Sequence, residues 1–468
     1  MPDPDGDLLR SAIFTVRKRD DANALEQMLS RFTRLSKYRY AAPLTELRSV
    51  LGSDTLAELD PAMKGLGSGA VTAALRGGIV IELCDLVGGD QGDPDPAIDQ
   101  WYLERIGWYQ RAGASVGAPV LDRHWPGWEA LGDPPWSGVK VAQIDTGYTA
   151  HTVFRRPVTD PGDLYIRPEL GKNFMTGEDQ NNPLDPLIYK GTPGHGTRIL
   201  SVLAGWDGAG PPVFRGVAPR ATVVPYRISN CVVIDFLDHE TELHEAIDHA
   251  ADQNCDVINI SMGDPLYPNP LVAQAIDDAY DKGVIVVAAA GNFSWNVYPG
   301  LYSRTVTVGG TTKGDDAWSG SARGQHIDVA APGAGIDRAM TLPGTGGPDT
   351  STYTYGRKAD GTSYATAMVS GAAALWIART DEPNRRTRSW QRVESFRKHL
   401  RATARTPGNW PERLGAGVLD VEALLHDDAA PDVTPGDKRD AAYDEAVGLA
   451  DLPALYTADE DNDINYHW

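Results

Sequence analysis

An acid, an imidazole and a hydroxyl follow one another along this chain, each beside glycine: Val-Ala-Gln-Ile-Asp145-Thr-Gly, Gly-His195-Gly-Thr and Gly-Thr-Ser363-Tyr-Ala-Thr-Ala. A serine hydroxyl is a poor nucleophile at neutral pH. It becomes a good one when a base within hydrogen-bond reach takes its proton and a third group orients that base. Asp, His and Ser are the residue types for this division of labour, and Asp…His…Ser is one of the chain orders in which it occurs. Singly the stretches say little. Gly-Thr-Ser arises by chance in about one chain in twenty of this length, and Gly-His-Gly-Thr in roughly one in a few hundred. A serine heading a helix is also a common cap. Both together, in order and in fitting contexts, point to nucleophilic catalysis.

Those contexts are elements able to hold the three side chains. Val139-Lys-Val-Ala-Gln-Ile144 is apolar and β-branched and reads as a buried parallel strand. Asp145 then falls at its carboxyl end, where open α/β sheets place their active sites. After His195, Thr197-Arg-Ile-Leu-Ser-Val-Leu-Ala204 reads as a helix closed by Gly205. After Ser363, the run from Tyr364 to Trp376 is small and apolar all round, which suits a helix buried in a large core. A serine at the start of such a helix lies in its positive field. Gly283-Val-Ile-Val-Val-Ala-Ala-Ala-Gly291-Asn292 reads as a buried strand entering a turn. Asn292 is an ordinary turn residue by type, but beside the other motifs its amide is a candidate donor to an oxyanion.

With these residues in view the chain resembles the subtilisin-like serine proteases, the subtilases of peptidase family S8, over about 100–424. The similarity also includes Gln100-Trp-Tyr-Leu, Gly216-Val-Ala-Pro219, Asp256-Val-Ile-Asn-Ile-Ser-Met-Gly263, Tyr298-Pro-Gly300 with Val306-Thr-Val-Gly309, and Ala330-Ala-Pro-Gly333. The resemblance implies a three-layer α/β fold with a central parallel sheet flanked by helices. It implies Asp145 as orienter, His195 as general base then acid, Ser363 as nucleophile, and Asn292 with the Ser363 N–H as oxyanion donors. Two positions depart from the family pattern. Arg198 stands where histidine is usual and Ala367 where proline is usual; neither performs the chemistry, and alanine is a good helix former.

Substrate binding follows from the same resemblance. Ser261, Met262 and Gly263 with Ala289, Ala290 and Gly291 are implied to wall the pocket for the residue before the cleaved bond. Val297, where relatives often carry glycine, is expected to make that pocket shallow and suited to medium apolar side chains. The peptide is expected to bind extended, as an added strand, against a segment within Ile228-Ser-Asn-Cys-Val-Val233. The chemistry requires no cofactor. Many subtilases hold structural calcium through a loop in or after the histidine helix. Here that stretch, Trp206-Asp-Gly-Ala-Gly-Pro-Pro-Val-Phe214, lacks the expected side-chain amide and carries two prolines. The acidic loop Glu178-Asp-Gln-Asn-Asn-Pro-Leu-Asp185 offers oxygen ligands, but a solvated turn is the simpler reading.

Composition bounds the rest. The chain has 468 residues and a formal net charge of −21, which argues against nucleic acid and anionic membrane surfaces as partners. Its three cysteines form no multi-disulfide framework and suit a reducing compartment. The start, Met-Pro-Asp-Pro-Asp-Gly-Asp, has no basic then apolar signal pattern, so the expected location is cytoplasmic.

Three parts are expected: an N-terminal module over 1–97, a catalytic domain over 98–425 and an acidic tail over 426–468. The module reads as α+β: a strand at Ala12-Ile-Phe-Thr-Val-Arg17, helices over 22–32, 44–51 and 56–66, a strand at Gly77-Gly-Ile-Val-Ile-Glu-Leu83, then an acidic linker. By the resemblance it is either an inhibitory prodomain acting within the molecule or a regulatory module docking a partner protein. The tail reads as solvated, with partner docking through its last aromatics as the alternative. The aromatic stretch over 101–136 reads as a wrap on the catalytic core. The function expected is a serine endopeptidase working on peptide or protein substrates, in intracellular processing or regulation. The alternatives are a transpeptidase or macrocyclase and, further off, a silent peptide-binding scaffold.

Overall fold

The computed structural model describes 98–441, apart from short stretches at 114, 132, 156–163, 188–192, 208–213, 233, 235–239, 265–267, 293–296, 343–351, 381–387, 412 and 427–430. Of the first 97 residues it describes the backbone of five strands: β1 (Arg10–Val16), β2 (Thr33–Arg34), β3 (Arg39–Pro43), β4 (Val71–Leu75) and β5 (Ile79–Asp85). They form one antiparallel sheet in the order β2-β3-β1-β5-β4. The two strands read from the sequence are β1 and β5; β2, β3 and β4 are additions to that reading. The helices expected over 22–32, 44–51 and 56–66 lie outside the described residues.

The central sheet has seven strands, all parallel: β6 (Lys140–Asp145), β7 (Lys172–Asn173), β8 (Thr222–Arg227), β9 (Val257–Ile260), β10 (Ile285–Ala289), β11 (Val306–Thr311) and β12 (Val329–Pro332). Their order is β12-β11-β10-β9-β6-β8-β7. The chain leaves β6 for β8 on one side and returns to β9 on the other. The crevice of the sheet therefore opens at the carboxyl ends of β6 and β9, the place such sheets offer to ligands.

Burial on both faces explains why these strands read as continuous apolar runs. Alternate residues serve different layers. Val141, Val223, Val257, Ile285 and Val287 pack on one side with α3 (His195–Ala204) and α6 (Thr362–Thr380). Ala142, Ile144, Val224, Ile258, Ile260 and Val286 pack on the other with α4 (Glu240–Asp252) and α5 (Pro270–Asp281). The helix after Ser363 is buried along nearly its whole length, as its small apolar run requires. The short helices α1 (Trp101–Arg105) and α2 (Val120–His124) bring the aromatic stretch onto the first layer, with Trp101, Trp108, Trp128 and Trp136 buried there.

A hairpin of β13 (Ile336–Leu342) and β14 (Thr352–Ala359) lies against α3, and α7 (Trp390–Thr403) and α8 (Val421–His426) close the domain. Residues 431–441 do not run free. The Arg439 N–H donates to the Tyr280 hydroxyl at 3.1 Å, Ser303 Oγ to the Asp440 carbonyl at 2.8 Å, and Ser395 Oγ to the Pro431 carbonyl at 2.7 Å. This part of the acidic C-terminal stretch is strapped across α5 and α7, and 442–468 lie outside the described residues. Among the described residues no helix is long and apolar enough to cross a membrane.

Candidate active site

Asp145 ends β6 and is fully buried. Its carboxylate is held on both oxygens: Oδ1 accepts the Thr146 N–H at 2.7 Å, and Oδ2 accepts the Gln143 side-chain amide at 3.0 Å. Oδ1 also meets Nδ1 of His195 at 2.8 Å. His195 is the first residue of α3, following Gly194, whose φ of 71° needs glycine. Gly196 permits the approach. A side chain there would lie 1.9 Å from the Gly147 carbonyl oxygen, so any larger residue pushes the imidazole off the acid. A carboxylate fixed at two points thus aims an imidazole whose second nitrogen is left for the reaction.

Ser363 is the second residue of α6, so it is not the helix cap. That job falls to Asn292, just past β10, whose Oδ1 accepts both the N–H and the hydroxyl of Thr362 at 3.0 Å. With its oxygen so engaged, Asn292 is fixed against Thr362, the residue before Ser363. The Ser363 hydroxyl donates to the carbonyl of Ser261 at 3.0 Å, and the Ser261 hydroxyl donates to the carbonyl of Ser363 at 3.1 Å. Asn259 donates to Ser261 Oγ at 3.0 Å and accepts from Ser370 at 2.8 Å, so a buried polar chain ties β9 to α6.

The residues expected to wall the pocket also come together. Ser261, Met262 and Gly263 leave β9, while Ala289 ends β10 and runs on into Ala290 and Gly291. Tyr298 and Asp264 exchange backbone hydrogen bonds at 2.9 Å, and the Val297 N–H donates to the Ala290 carbonyl at 3.2 Å. Cγ2 of Val297 lies 2.7 Å from where a side chain on Gly263 would begin, so Val297 fills the space that this glycine leaves. Over 228–233 no strand is formed among the described residues. Instead Val232 accepts from the Gly263 N–H, and Ile234 donates to its carbonyl, both at 3.0 Å.

The acidic loop over 178–185 is exposed at 178–182 and at 184, as a solvated turn is, and is tied down at its two ends. Glu178 pairs with buried Arg227 at 2.8 Å, and Asp185 is turned inside beneath α3. Among the described residues no group of three or more His, Cys, Asp or Glu is arranged to hold a metal ion. Sequence reasoning missed Asp185, Thr146 and Thr362 as neighbours of the site. The only signal for Asp185 was its place in the apolar-flanked Pro-Leu-Asp-Pro-Leu at the loop's end.

An imidazole held by an acid at the end of a central strand, together with a serine near the start of a buried helix whose hydroxyl rests on the Ser261 carbonyl, supplies the parts of a serine hydrolase layout. Comparison with known proteins narrows this. Residues 137–417 match the family model Peptidase_S8, the subtilase family. Subtilisin BL of Lederbergia lenta is 32% identical over 289 residues, covering 61% of this chain and 90% of that protein. Subtilisin E of Bacillus subtilis (strain 168) is 31% identical over 293 residues, covering 61% of this chain and 65% of that one. Among solved structures, a protease from Pseudoalteromonas arctica superposes with a TM-score of 0.53 at 26% identity, covering 71% of this chain and 98% of that one. The structure described as MycP1, a serine protease and essential component of the type VII (ESX-1) secretion system, gives 0.50 at 25%, covering 71% and 90%. The chain belongs to the subtilase family and is a serine-type peptidase.

Proposed function

We propose that this subtilase is an endopeptidase in which Asp145, His195 and Ser363 form the proton relay and Asn292 the oxyanion donor. The observation that carries the reading is the 2.8 Å contact between His195 Nδ1 and a carboxylate already fixed by Thr146 and Gln143. In the first step the Ser363 hydroxyl turns from the Ser261 carbonyl to His195 Nε2, gives up its proton and attacks the scissile carbonyl. The oxyanion is held by the Asn292 amide and the Ser363 N–H. His195 then protonates the leaving amine, and water hydrolyses the acyl-enzyme. Val297 against Gly263 favours medium apolar side chains before the cleaved bond. We extend the proposal to a processing or regulatory role inside the cell. Cys255, a buried thiol outside any disulfide, suits that setting.

The test pairs the full chain with its Ser363→Ala variant. A fluorophosphonate probe should label the former alone, and peptide products should gain the mass of one water. Labelling of Ser363→Ala would refute the assignment, and cyclised product without added water would replace hydrolysis by transfer. Intact mass reads the N-terminal module. Trimming near 84–100 in the parent chain alone marks 1–97 as an inhibitory prodomain. An untrimmed chain that takes the probe marks it as a fixed docking module.

A further inference from the structure

We infer that Asp185 is a positioning residue for His195, acting through the backbone on either side of the imidazole. The inference rests on the triad reading above. Asp185 is only 6% exposed, and burying a carboxylate costs several kcal/mol unless donors compensate. Three do. Oδ2 accepts the Thr146 hydroxyl at 2.7 Å and the Gly194 N–H at 2.8 Å, and Oδ1 accepts the Leu187 N–H at 2.8 Å. Burial pushes the Asp185 carboxyl up from its ordinary value, while these donors and the more distant Arg227 charge oppose it. Arg227 itself is bonded to Glu178, so the Asp185 charge is met by neutral donors.

The connections of those donors give the arrangement its purpose. The single hydroxyl proton of Thr146 goes to Asp185, which leaves its oxygen to accept the Gly196 N–H at 3.2 Å. The N–H groups just before and just after His195 therefore both hang on one carboxylate–hydroxyl pair. The same Thr146 gives its backbone N–H to Asp145 at 2.7 Å. Asp185 is laced to this side of the sheet by its own N–H, which donates to the Tyr148 carbonyl at 2.8 Å. The orienting acid and the start of the histidine helix are thus tied to each other by a second carboxylate that touches neither substrate nor imidazole. An asparagine has nearly the same shape but cannot replace it. With its oxygen in the Oδ2 place its amide N–H groups meet the Leu187 N–H, and turned over they meet the Gly194 N–H and the Thr146 hydroxyl, so at least one donor is always opposed by a donor.

The experiment uses the full chain with Asp185→Asn, Thr146→Val, the double variant and Ser363→Ala, assayed on a chromogenic peptide with Leu before the scissile bond. Folded fraction is measured by urea unfolding. Asp185→Asn should lower kcat roughly a hundredfold, the scale of a misplacement near 1 Å, with KM within about threefold of the parent. Thr146→Val should do much the same, and the double variant little more than either alone, since the two residues act as one unit. Rescue by Asp185→Glu is not expected, because the longer carboxylate cannot reach both donors from the same backbone. The inference is overturned if kcat in Asp185→Asn stays within threefold of the parent. It is also overturned if the two losses multiply in the double variant, or if the loss equals the unfolded fraction. Should Asp185→Asn fail to fold, Thr146→Val alone decides, and a kcat within threefold of the parent overturns the inference. Ser363→Ala reads the underlying assignment separately: activity there sinks the triad, whereas a dead Ser363→Ala beside a fully active Asp185→Asn sinks only the role of Asp185.

Discussion

Asn292 carries two jobs that one pair of substitutions can separate. Its oxygen takes the N–H and hydroxyl of Thr362, each at 3.0 Å, and so caps the nucleophile helix from a distant loop. Its N–H groups are assigned to the oxyanion. Asn292→Ala removes both jobs. Losing the cap should cost about 1 kcal/mol of stability, and losing the donor about 2.7–4 kcal/mol of transition-state stabilisation, or a hundredfold to a thousandfold in kcat. That second range comes from subtilisin, a relative of this chain. Asn292→Asp keeps an oxygen for Thr362, so it should keep the thermal midpoint. It replaces the donor by a negative charge facing the oxyanion, so its kcat should fall at least as far. KM should change little in either, because the oxyanion exists only beyond the ground state. The assay is steady-state hydrolysis of a chromogenic peptide beside a thermal melt. A large rise in KM with unchanged kcat would refute the reasoning. So would an Asn292→Asp variant that melts as early as Asn292→Ala.

Opening the pocket by Val297→Gly should raise the Phe-to-Leu ratio of kcat/KM about tenfold or more, since each methylene in such a pocket is worth about 1–3 kcal/mol; a peptide-library scan checks it. His151 accepts the Val153 N–H on Nδ1 and contacts the Thr354 carbonyl through Nε2, both at 3.0 Å, so it is held neutral. Burial lowers its pKa from 6.5 to about 4. Between those values the unfolded chain binds more protons, so stability should be lost as pH falls through that window, and His151→Phe should flatten the loss in urea melts at pH 7 and pH 5. Ending the chain after residue 430 removes the strap across α5 and α7, including the Lys438–Asp281 pair at 2.9 Å. It should cost about 1–2 kcal/mol, as exposed hydrogen bonds and pairs do, and leave kcat unchanged by calorimetry and assay run together.

The site was legible where chemistry and periodicity coincide. A strand that runs apolar into Asp145, a helix pattern just after His195 and an all-apolar helix after Ser363 each mark one candidate position and the element that holds it. All three elements begin within two residues of where the pattern put them, and the serine helix runs four residues further, to Thr380. Val297 was singled out only by the family resemblance, and its contact with the space beside Gly263 is a fact of the folded chain.

What the sequence hid was the set of partners that have no period of their own. Asp185 sits in a stretch whose composition argues for solvent, and only the folded chain shows its carboxylate beneath α3 on Thr146 and Gly194. Asn292 was read as a donor, but its acceptor role toward Thr362, 70 positions away, is a tertiary fact. The short strands β3 and β4 likewise depend on pairing with β1 and β5 rather than on their own patterns. A proton relay needs more than its three named groups. Each has buried polar neighbours: Gln143 and Thr146 on the acid, Asp185 behind the residues flanking the histidine, Asn259 and Ser261 beside the serine. Leaving any of these without a partner in a dry interior costs about 1–3 kcal/mol, so the acid and the start of the histidine helix are held in place, while the serine hydroxyl alone has to turn from the Ser261 carbonyl before it can react.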